Sequence, residues 1–150
     1  MDASRVKRGE LIAILGGLLL ALGVFLKWYS VKAPGTLSGH GAGTYSAWDV
    51  HHLMRYLLLL AALAPLILAW IIARDHALSW PRGEMTSVVA ITAIGLIFYN
   101  GVIDRPGDPS SLVHLKIGWI VALVGAAAML FGSVQRQQES ERVRKPPGVI

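Results

Sequence analysis

The residues whose types suit metal or haem chemistry are histidines and aspartates that lie between the long apolar stretches of the chain. Imidazole and carboxylate groups ligate Zn²⁺ and other borderline metals, and a neutral imidazole also ligates haem iron. Their spacing matches no diagnostic ligand motif, such as two histidines four residues apart with a neighbouring acid. We therefore expect no cofactor and keep a metal or haem site as an alternative. The candidate metal ligands are His40, Asp49 and Asp104, and the candidate haem ligands are His51, His52 and His114.

Other catalytic patterns do not occur in the sequence. It contains no cysteine, which excludes thiol catalysis and thiolate metal sites. It also contains no nucleophile elbow, phosphate-cradling glycine loop or paired-carboxylate arrangement. The GHGAG stretch around His40 has no predicted strand before it and no helix directly after it, as a phosphate site requires. We expect the protein not to be an enzyme.

The composition indicates whether the chain is a soluble protein or a membrane protein. Apolar residues of the AVILMFWYC class make up 54% of the 150 residues, charged residues only 15%, and the mean hydropathy is +0.54. A soluble globular chain carries about 25% charged residues. This chain has too few charges to cover a water-facing surface, so the composition predicts a membrane protein.

Four stretches contain no charged residue, at 11–26, 56–73, 85–103 and 117–135. Each is close to the roughly 20 residues that a helix needs to cross a hydrocarbon layer of about 30 Å. We predict spans at about 10–30, 52–73, 85–103 and 115–135, a single domain over 1–135 and a basic tail over 136–150. The predicted fold is an all-α membrane protein, an antiparallel bundle of four transmembrane helices.

The first span has an alternative interpretation as a secretory signal peptide, because SRVKR and the apolar run after it resemble its basic and hydrophobic regions. The following KWYSVKAPG, however, offers no convincing small-residue cleavage site. Lys27 can extend its amine toward water, and Trp28 and Tyr29 favour the headgroup level of a membrane. We therefore predict a retained helix that continues to about Ser30.

The distribution of lysine and arginine predicts the orientation. Nine of the fourteen lie at the amino terminus, between the second and third spans, or in the tail. Cytoplasmic segments carry the excess of these residues, so both termini of this multi-pass membrane protein are predicted to be cytoplasmic. The basic tail favours contact with anionic lipid and not with nucleic acid.

Short groups of residues recur in the same order in the two halves of the chain. They are RGE at 8–10 and 82–84, PG at 34–35 and 106–107, and HL at 52–53 and 114–115. Recurrence of this kind is typical of internal duplication. A duplicated helical hairpin is therefore a further hypothesis for the fold.

Glycines spaced seven residues apart predict a helix contact. Such a stripe stays on one face of a helix, and glycine lets two backbones approach closely in lipid, where apolar burial gives no driving force. We predict that the first and fourth helices pack through their stripes. The residues are Gly9, Gly16 and Gly23 on the first helix and Gly118, Gly125 and Gly132 on the fourth.

The interiors of the four predicted spans contain no Asp, Glu, Lys, Arg or His. Ion pumps and coupled transporters usually keep ionisable residues there, so these classes are disfavoured. Hydroxyl and amide side chains within the spans are expected to bond between helices. An alternative is that Asn100, Thr92 and Tyr99 face the lumen of a pore made by a ring of copies. Outside the spans, Trp48 either packs back on the bundle or contacts a partner.

Four short segments carry a resemblance that extends over nearly the whole chain. They are FLKWYS at the end of the first span, SAWD before the second, IDRPG after the third, and GWIVALVGAAAMLFG in the fourth. Together they resemble small four-helix integral membrane proteins of actinobacteria-like genomes. The resemblance implies a four-span topology and a bacterial origin, and it carries over no active site.

These observations favour a non-catalytic protein that acts as an oligomeric or accessory subunit of a membrane complex. Four helices with mostly short connections have little interior of their own, and glycine faces suit assembly. The expected partners are membrane lipid and other membrane subunits or further copies of the chain. The two alternatives are a haem- or metal-bearing electron-transfer subunit and a small pore.

Overall fold

The computed structural model describes residues 7–74 and 83–144. Its helices are α1 (Arg8–Phe25), α2 (Ala47–Val50), α3 (Met54–Ala73), α4 (Glu84–Phe98) and α5 (Ile117–Arg144). A π-helix over Tyr99–Ile103 continues α4, and a 3-10 turn covers Ser110–Leu112. The strands are β1 (Lys27–Val31), β2 (Gly43–Ser46) and β3 (Val113–Leu115).

Within residues 7–74 and 83–144, four helical segments are long and apolar enough to cross a membrane, which confirms the predicted number of such helices and fits a multi-pass membrane protein. They are Arg8–Phe25, Met54–Ala73, Glu84–Ile103 and Ile117–Glu139, and their lengths are 18, 20, 20 and 23 residues. We call the end of these helices that carries the three strands the sheet end. The end at which α1 and α4 begin is the opposite end.

The expectation of an all-α protein was wrong at the sheet end. The three strands form an antiparallel sheet in the order β2-β1-β3. The first helix ends at Phe25 and not at Ser30, because β1 begins at Lys27. Aromatic and β-branched residues favour strands, and β1 contains Trp28, Tyr29 and Val31. Because β1 pairs with a strand on each edge, its backbone N–H and C=O groups form hydrogen bonds after the helix has ended.

Other boundaries also differ from the predicted spans. The second predicted span starts at 52, whereas α3 begins only at Met54; a capping box of Ser46 and Asp49 opens the short α2 before it. The last helix continues without a break to Arg144, so residues 136–144 do not form a separate tail. Residues 145–150 of the predicted tail lie outside the described residues.

The glycines of α1 and α5 lie where the two backbones come closest. A Cβ added at Gly16 would lie 2.6 Å from the carbonyl oxygen of Gly125, and one added at Gly9 would lie 2.7 Å from that of Gly132. Real Cβ atoms do not approach backbone this closely, so only glycine fits. Residue numbers rise along α1 as they fall along α5, so this pair of helices is antiparallel.

At the sheet end the same contact passes from helix to strand. A Cβ at Gly23 would lie 2.6 Å from the backbone nitrogen of Ala122, and one at Gly118 would lie 2.7 Å from the carbonyl oxygen of Lys27. The start of α5 is therefore held against the turn that joins α1 to β1. This contact brings β1 directly above the helices.

Backbone bonds join the two connections at the sheet end. The amide of Thr36 donates to the carbonyl of Asp108 at 3.0 Å, and the amide of Asp108 donates to the carbonyl of Thr36 at 2.9 Å. Each of these residues directly follows one of the recurring Pro-Gly pairs. Below them the core contains Leu20, Leu58 and other buried side chains from all four long helices.

Candidate functional site

The most enclosed polar cluster at the sheet end is centred on Tyr29 in β1. The Tyr29 side chain is fully buried, and its hydroxyl lies 2.8 Å from Nε2 of His51. The same hydroxyl donates to the backbone carbonyl of Asn100 at 3.3 Å. A hydroxyl has one proton, so while it donates to Asn100 it accepts from a protonated Nε2 of the neutral imidazole. Tyr29 thus joins β1, the end of α2 and the π-helix.

Burial sets the protonation of both groups. It raises the pKa of the Tyr29 phenol, and the positive charge of Arg105 opposes this rise only in part. Burial, with a smaller contribution from the neighbouring His52, lowers the pKa of His51 to about 4. Removal from water disfavours the charged form in each case. At neutral pH the pair is an uncharged phenol and an uncharged imidazole, an arrangement that suits a structural hydrogen bond.

The π-helix at 99–103 continues α4, and side-chain donors bond to backbone carbonyls just before it. Nδ2 of Asn100 donates to the carbonyl of Leu96 at 2.9 Å and to Sδ of Met54 at 3.2 Å. Nε1 of Trp119 donates to the carbonyl of Ile97 at 2.9 Å. π-Helical turns occur often at functional sites. This one connects α4 to α3 and α5 by hydrogen bonds.

The candidate ligands do not converge. Among the described residues, no group of three or more His, Asp or Glu side chains is placed to hold a metal ion. His51 is bonded to Tyr29, whereas His52 and His114 are exposed. His40 lies against the ring of Tyr45. Of the aspartates, Asp49 caps α2 and Asp104 is exposed where the π-helix ends.

The proposed lumen residues do not share one face. Thr92 and Tyr99 are exposed on α4, and the Thr92 hydroxyl donates to the carbonyl of Val88 in its own helix at 2.9 Å. The Asn100 side chain is half-buried, and its amide is directed to α3. Of the polar residues within the spans, Ser87 bonds between helices as expected, since its hydroxyl lies 2.8 Å from that of Ser133.

Trp48 packs back on the helices. Its ring lies 5.2 Å from the ring of Phe25 and 5.8 Å from that of Tyr56, measured between centroids. The guanidinium carbon of Arg55 lies 4.5 Å from the Trp48 centroid and 4.8 Å from the Tyr56 centroid. We call Phe25, Trp48, Arg55 and Tyr56 the Arg55 cluster. It lies at the sheet end, where α1 and α3 leave the apolar zone.

A buried ion pair at the opposite end was not expected from the sequence. Nε of Arg136 lies 2.8 Å from Oε1 of Glu10, and the two side chains are 2% and 3% exposed. Oε2 of Glu10 also accepts from the backbone amide of Lys7 at 2.9 Å. Glu139 lies farther out, 3.8 Å from Nη1 of Arg136. The assignment of Arg136 to a basic tail was therefore wrong.

The close approach at Gly9 explains this burial. A Cβ there would lie 3.5 Å from Cβ of Arg136, so the arginine stem runs directly over the first turn of α1. A Cβ added at Gly83, the equivalent glycine of the second RGE group, would also lie 3.5 Å from Cβ of Arg136. The signal in the sequence was an acid directly before the first apolar stretch and an arginine directly after the last.

No protein-family model, curated protein or solved structure matches this chain. The proposed function therefore rests on the geometry of this structure. What the geometry offers is a packed helical core, polar groups bonded to one another at both ends, and broad apolar faces on α3 and α4 that point outward.

Proposed function

We propose that the chain is a multi-pass protein of the bacterial inner membrane that serves as a non-catalytic oligomeric or accessory subunit. The four long helices form an antiparallel bundle, and the sheet end faces away from the cytoplasm. The observation that carries the proposal is the backbone contact of α1 with α5 through Gly16 and Gly125. Because this contact closes the interior of a single chain, interaction with other molecules is left to the outer surface.

The exposed apolar surface of α3 and α4 supports the proposed role as a subunit. Exposed large side chains continue along α3 and α4 from one end to the other, among them Leu60, Ile67, Val88 and Ile91. Gly95, near the end of α4, is also exposed, and a Cβ added there would meet nothing within 4 Å. Lipid covers such a face in a lone protein, and another helix can cover it in a complex.

Charge supports the orientation. Arg136 is paired with Glu10, and without it eight lysines and arginines remain in the sequence before the first span, between the second and third spans and after the fourth, against five in the other two connections and at the adjoining helix ends. The positive-inside rule then places the opposite end and both termini in the cytoplasm. Duplication of a helical hairpin is supported by the reciprocal Thr36–Asp108 bonds, which join equivalent positions of the two halves. The smaller contact of α3 with α4, compared with that of α1 with α5, is a departure from such symmetry.

The absence of cysteine allows a direct topology test. Exposed Ser110 at the sheet end and exposed Glu84 at the opposite end can each be replaced by the only cysteine in the chain. A membrane-impermeant maleimide is expected to label Ser110→Cys in intact cells and Glu84→Cys only after lysis. Labelling of Glu84→Cys in intact cells would overturn the orientation.

Assembly is tested by cross-linking from the exposed face of α4. Gly95→Cys is expected to give a discrete cross-linked species in native membranes, either a dimer of the chain or a constant product with one other subunit. Ala90→Cys, at a fully buried position of the same helix, is the matched control and is expected not to cross-link. A uniformly monomeric particle after extraction in mild detergent, with no cross-linked species from α4, would refute the proposal.

The two alternative functions, a haem-bearing subunit and a pore, predict different measurable signals. A haem site requires a Soret absorption band in the purified protein, and ligation through Nε2 of His51 requires loss of its bond to Tyr29. A pore requires conductance in planar bilayers, and its lumen would be lined by Thr92 and Tyr99 without Asn100. Either signal would displace the accessory-subunit proposal.

A further inference from the structure

The guanidinium of Arg55 is held rigidly at the sheet end of α3. Nη1 donates to the carbonyl of Trp48 at 3.0 Å, and Nη2 donates to the hydroxyl of Tyr56 at 3.0 Å. The group also lies between the two rings of these residues, at cation–π distance from each. A guanidinium has five N–H donors, so three remain after these two bonds: one on each Nη, and that of Nε, which is buried and makes no hydrogen bond.

The charge of Arg55 is not balanced by the acidic groups around it. Within residues 7–74 and 83–144, the ion pairs involve other cations, and no carboxylate lies within 4.0 Å of Arg55. The nearest acidic residue in sequence, Asp49, lies 3.9 Å from Nζ of Lys27, and bonds from Ser46 hold its pKa below the usual range. Lys27 and Asp49 therefore cancel, and the surface keeps one fixed positive charge.

Exposed apolar side chains continue from this cation toward the middle of the helices. On α1 they follow helical spacing back from Phe25 through Leu22 to Leu18, and on α3 they lead from Tyr56 to Leu60. All five side chains are about half exposed or more. A tryptophan and a tyrosine beside a cation, with an aliphatic strip below, match the order of headgroup and acyl chain in a lipid leaflet.

We propose that the Arg55 cluster binds the phosphate of an anionic phospholipid, whose acyl chains lie along the exposed strips of α1 and α3. The paired free N–H groups of a guanidinium match two oxygens of one phosphate, and the net charge favours an anionic lipid over a zwitterionic one. The inference rests on the proposed membrane residence. It commits to a lipid and not to a free anion, because a soluble phosphate would leave the apolar strip uncovered.

Quenching by brominated lipid gives a local readout. The purified full chain is placed in phosphatidylcholine vesicles that contain a minor fraction of brominated lipid, either phosphatidylglycerol or phosphatidylcholine. Trp48 is isolated by subtracting the signal of Trp48→Phe. About 0.5 M salt screens diffuse attraction between the protein and the surface, whereas a bound contact persists. The measured quantity is the ratio of quenching by the two brominated lipids.

We expect this ratio to favour brominated phosphatidylglycerol by about fivefold in the wild type, because the choline cation of phosphatidylcholine opposes the guanidinium by about 1 kcal/mol at close range. Arg55→Gln is expected to bring the ratio to about one. Lys116→Gln removes the same charge from an exposed residue at the same end and is expected to keep the wild-type ratio. A wild-type ratio near one, or an unchanged ratio in Arg55→Gln, would overturn the proposal.

Competition in the wild type covers the case in which Arg55→Gln does not fold. Excess unbrominated phosphatidylglycerol is expected to relieve the quenching, and excess inorganic phosphate is expected to leave it unchanged. Relief by inorganic phosphate would show that the site takes a free anion, which contradicts the lipid assignment. Membrane residence has its own readout, flotation with vesicles, so its failure is distinguishable from loss of lipid preference.

Discussion

Glu10 and Arg136 form an ion pair that is almost completely removed from solvent and joins the first turn of α1 to α5. Breaking a buried pair by removing one partner leaves an uncompensated charge and costs about 3–5 kcal/mol. Replacement of both partners by apolar residues is often neutral. We therefore expect the pair to set the register of α1 on α5 more than it adds net stability.

The first prediction tests this pair. Glu10→Gln is expected to lower the free energy of unfolding in detergent by about 3 kcal/mol, because it removes the closest carboxylate from the buried charge of Arg136. Glu84→Gln is the matched control, since Glu84 holds the same place in the second RGE group but is exposed. Its effect is expected to stay within about 0.5 kcal/mol. Equal losses in the two variants would contradict the role of the buried pair.

A second prediction concerns the glycine contact. Gly16→Ala places a Cβ 2.5 Å from the backbone nitrogen of Met129, and neither backbone can move away without separating the helices. We expect destabilisation of about 1–3 kcal/mol, measured by thermal unfolding in one detergent. Gly95→Ala is the comparison, because that site is open and alanine is the better helix former. It is expected to be neutral or stabilising, and a similar loss at both sites would remove the packing argument.

The third prediction is a pH dependence. The pKa of His51 is about 4 in the folded chain, against 6.5 for the free side chain. Above pH 6.5 both states hold a neutral imidazole, so His51 contributes no pH dependence there. Between pH 6.5 and about 4 the unfolded chain binds a proton that the folded chain does not, so stability falls as the pH is lowered.

Unfolding at pH 7.5 and pH 5 measures this effect. His51→Gln is expected to lose most of the decrease between the two pH values. His52→Gln is expected to keep most of it, because burial is the larger cause of the shift and the charge of His52 the smaller. NMR of the imidazole in the folded protein offers an independent check, and a His51 that titrates near pH 6.5 would contradict the prediction.

A fourth prediction tests the fit between the π-helix and α5. A Cβ at Gly101 would lie 2.7 Å from Cδ1 of Trp119 and closer still to Nε1, which donates to Ile97. Gly101→Ala is expected to displace the indole, shift its fluorescence and cost about 1–3 kcal/mol. In a Trp119→Leu background the added methyl group has room, so the same substitution is expected to cost less. Additive losses in the double variant would show that the two residues are independent.

Several features can be predicted from the sequence because they depend on local composition and spacing. Four uncharged stretches of membrane length specify four helices wherever they pack, since each helix satisfies its backbone bonds internally. The capping box of Ser46 and Asp49 also depends only on a three-residue spacing. The glycine stripes indicated which faces of two helices are small enough for backbone contact.

The tertiary structure alone decided the features that join distant segments. β1 forms a strand because β2 and β3, from two separate connections, pair with its two edges. The local sequence KWYSV does not indicate which segments those partners are. The burial of Arg136 depends on Gly9, 127 positions earlier in the chain, and the hydrogen bonds of Tyr29 reach residues 22 and 71 positions away. Charge, spacing and propensity act between near neighbours, whereas burial and long-range hydrogen bonds are set only when the helices have packed.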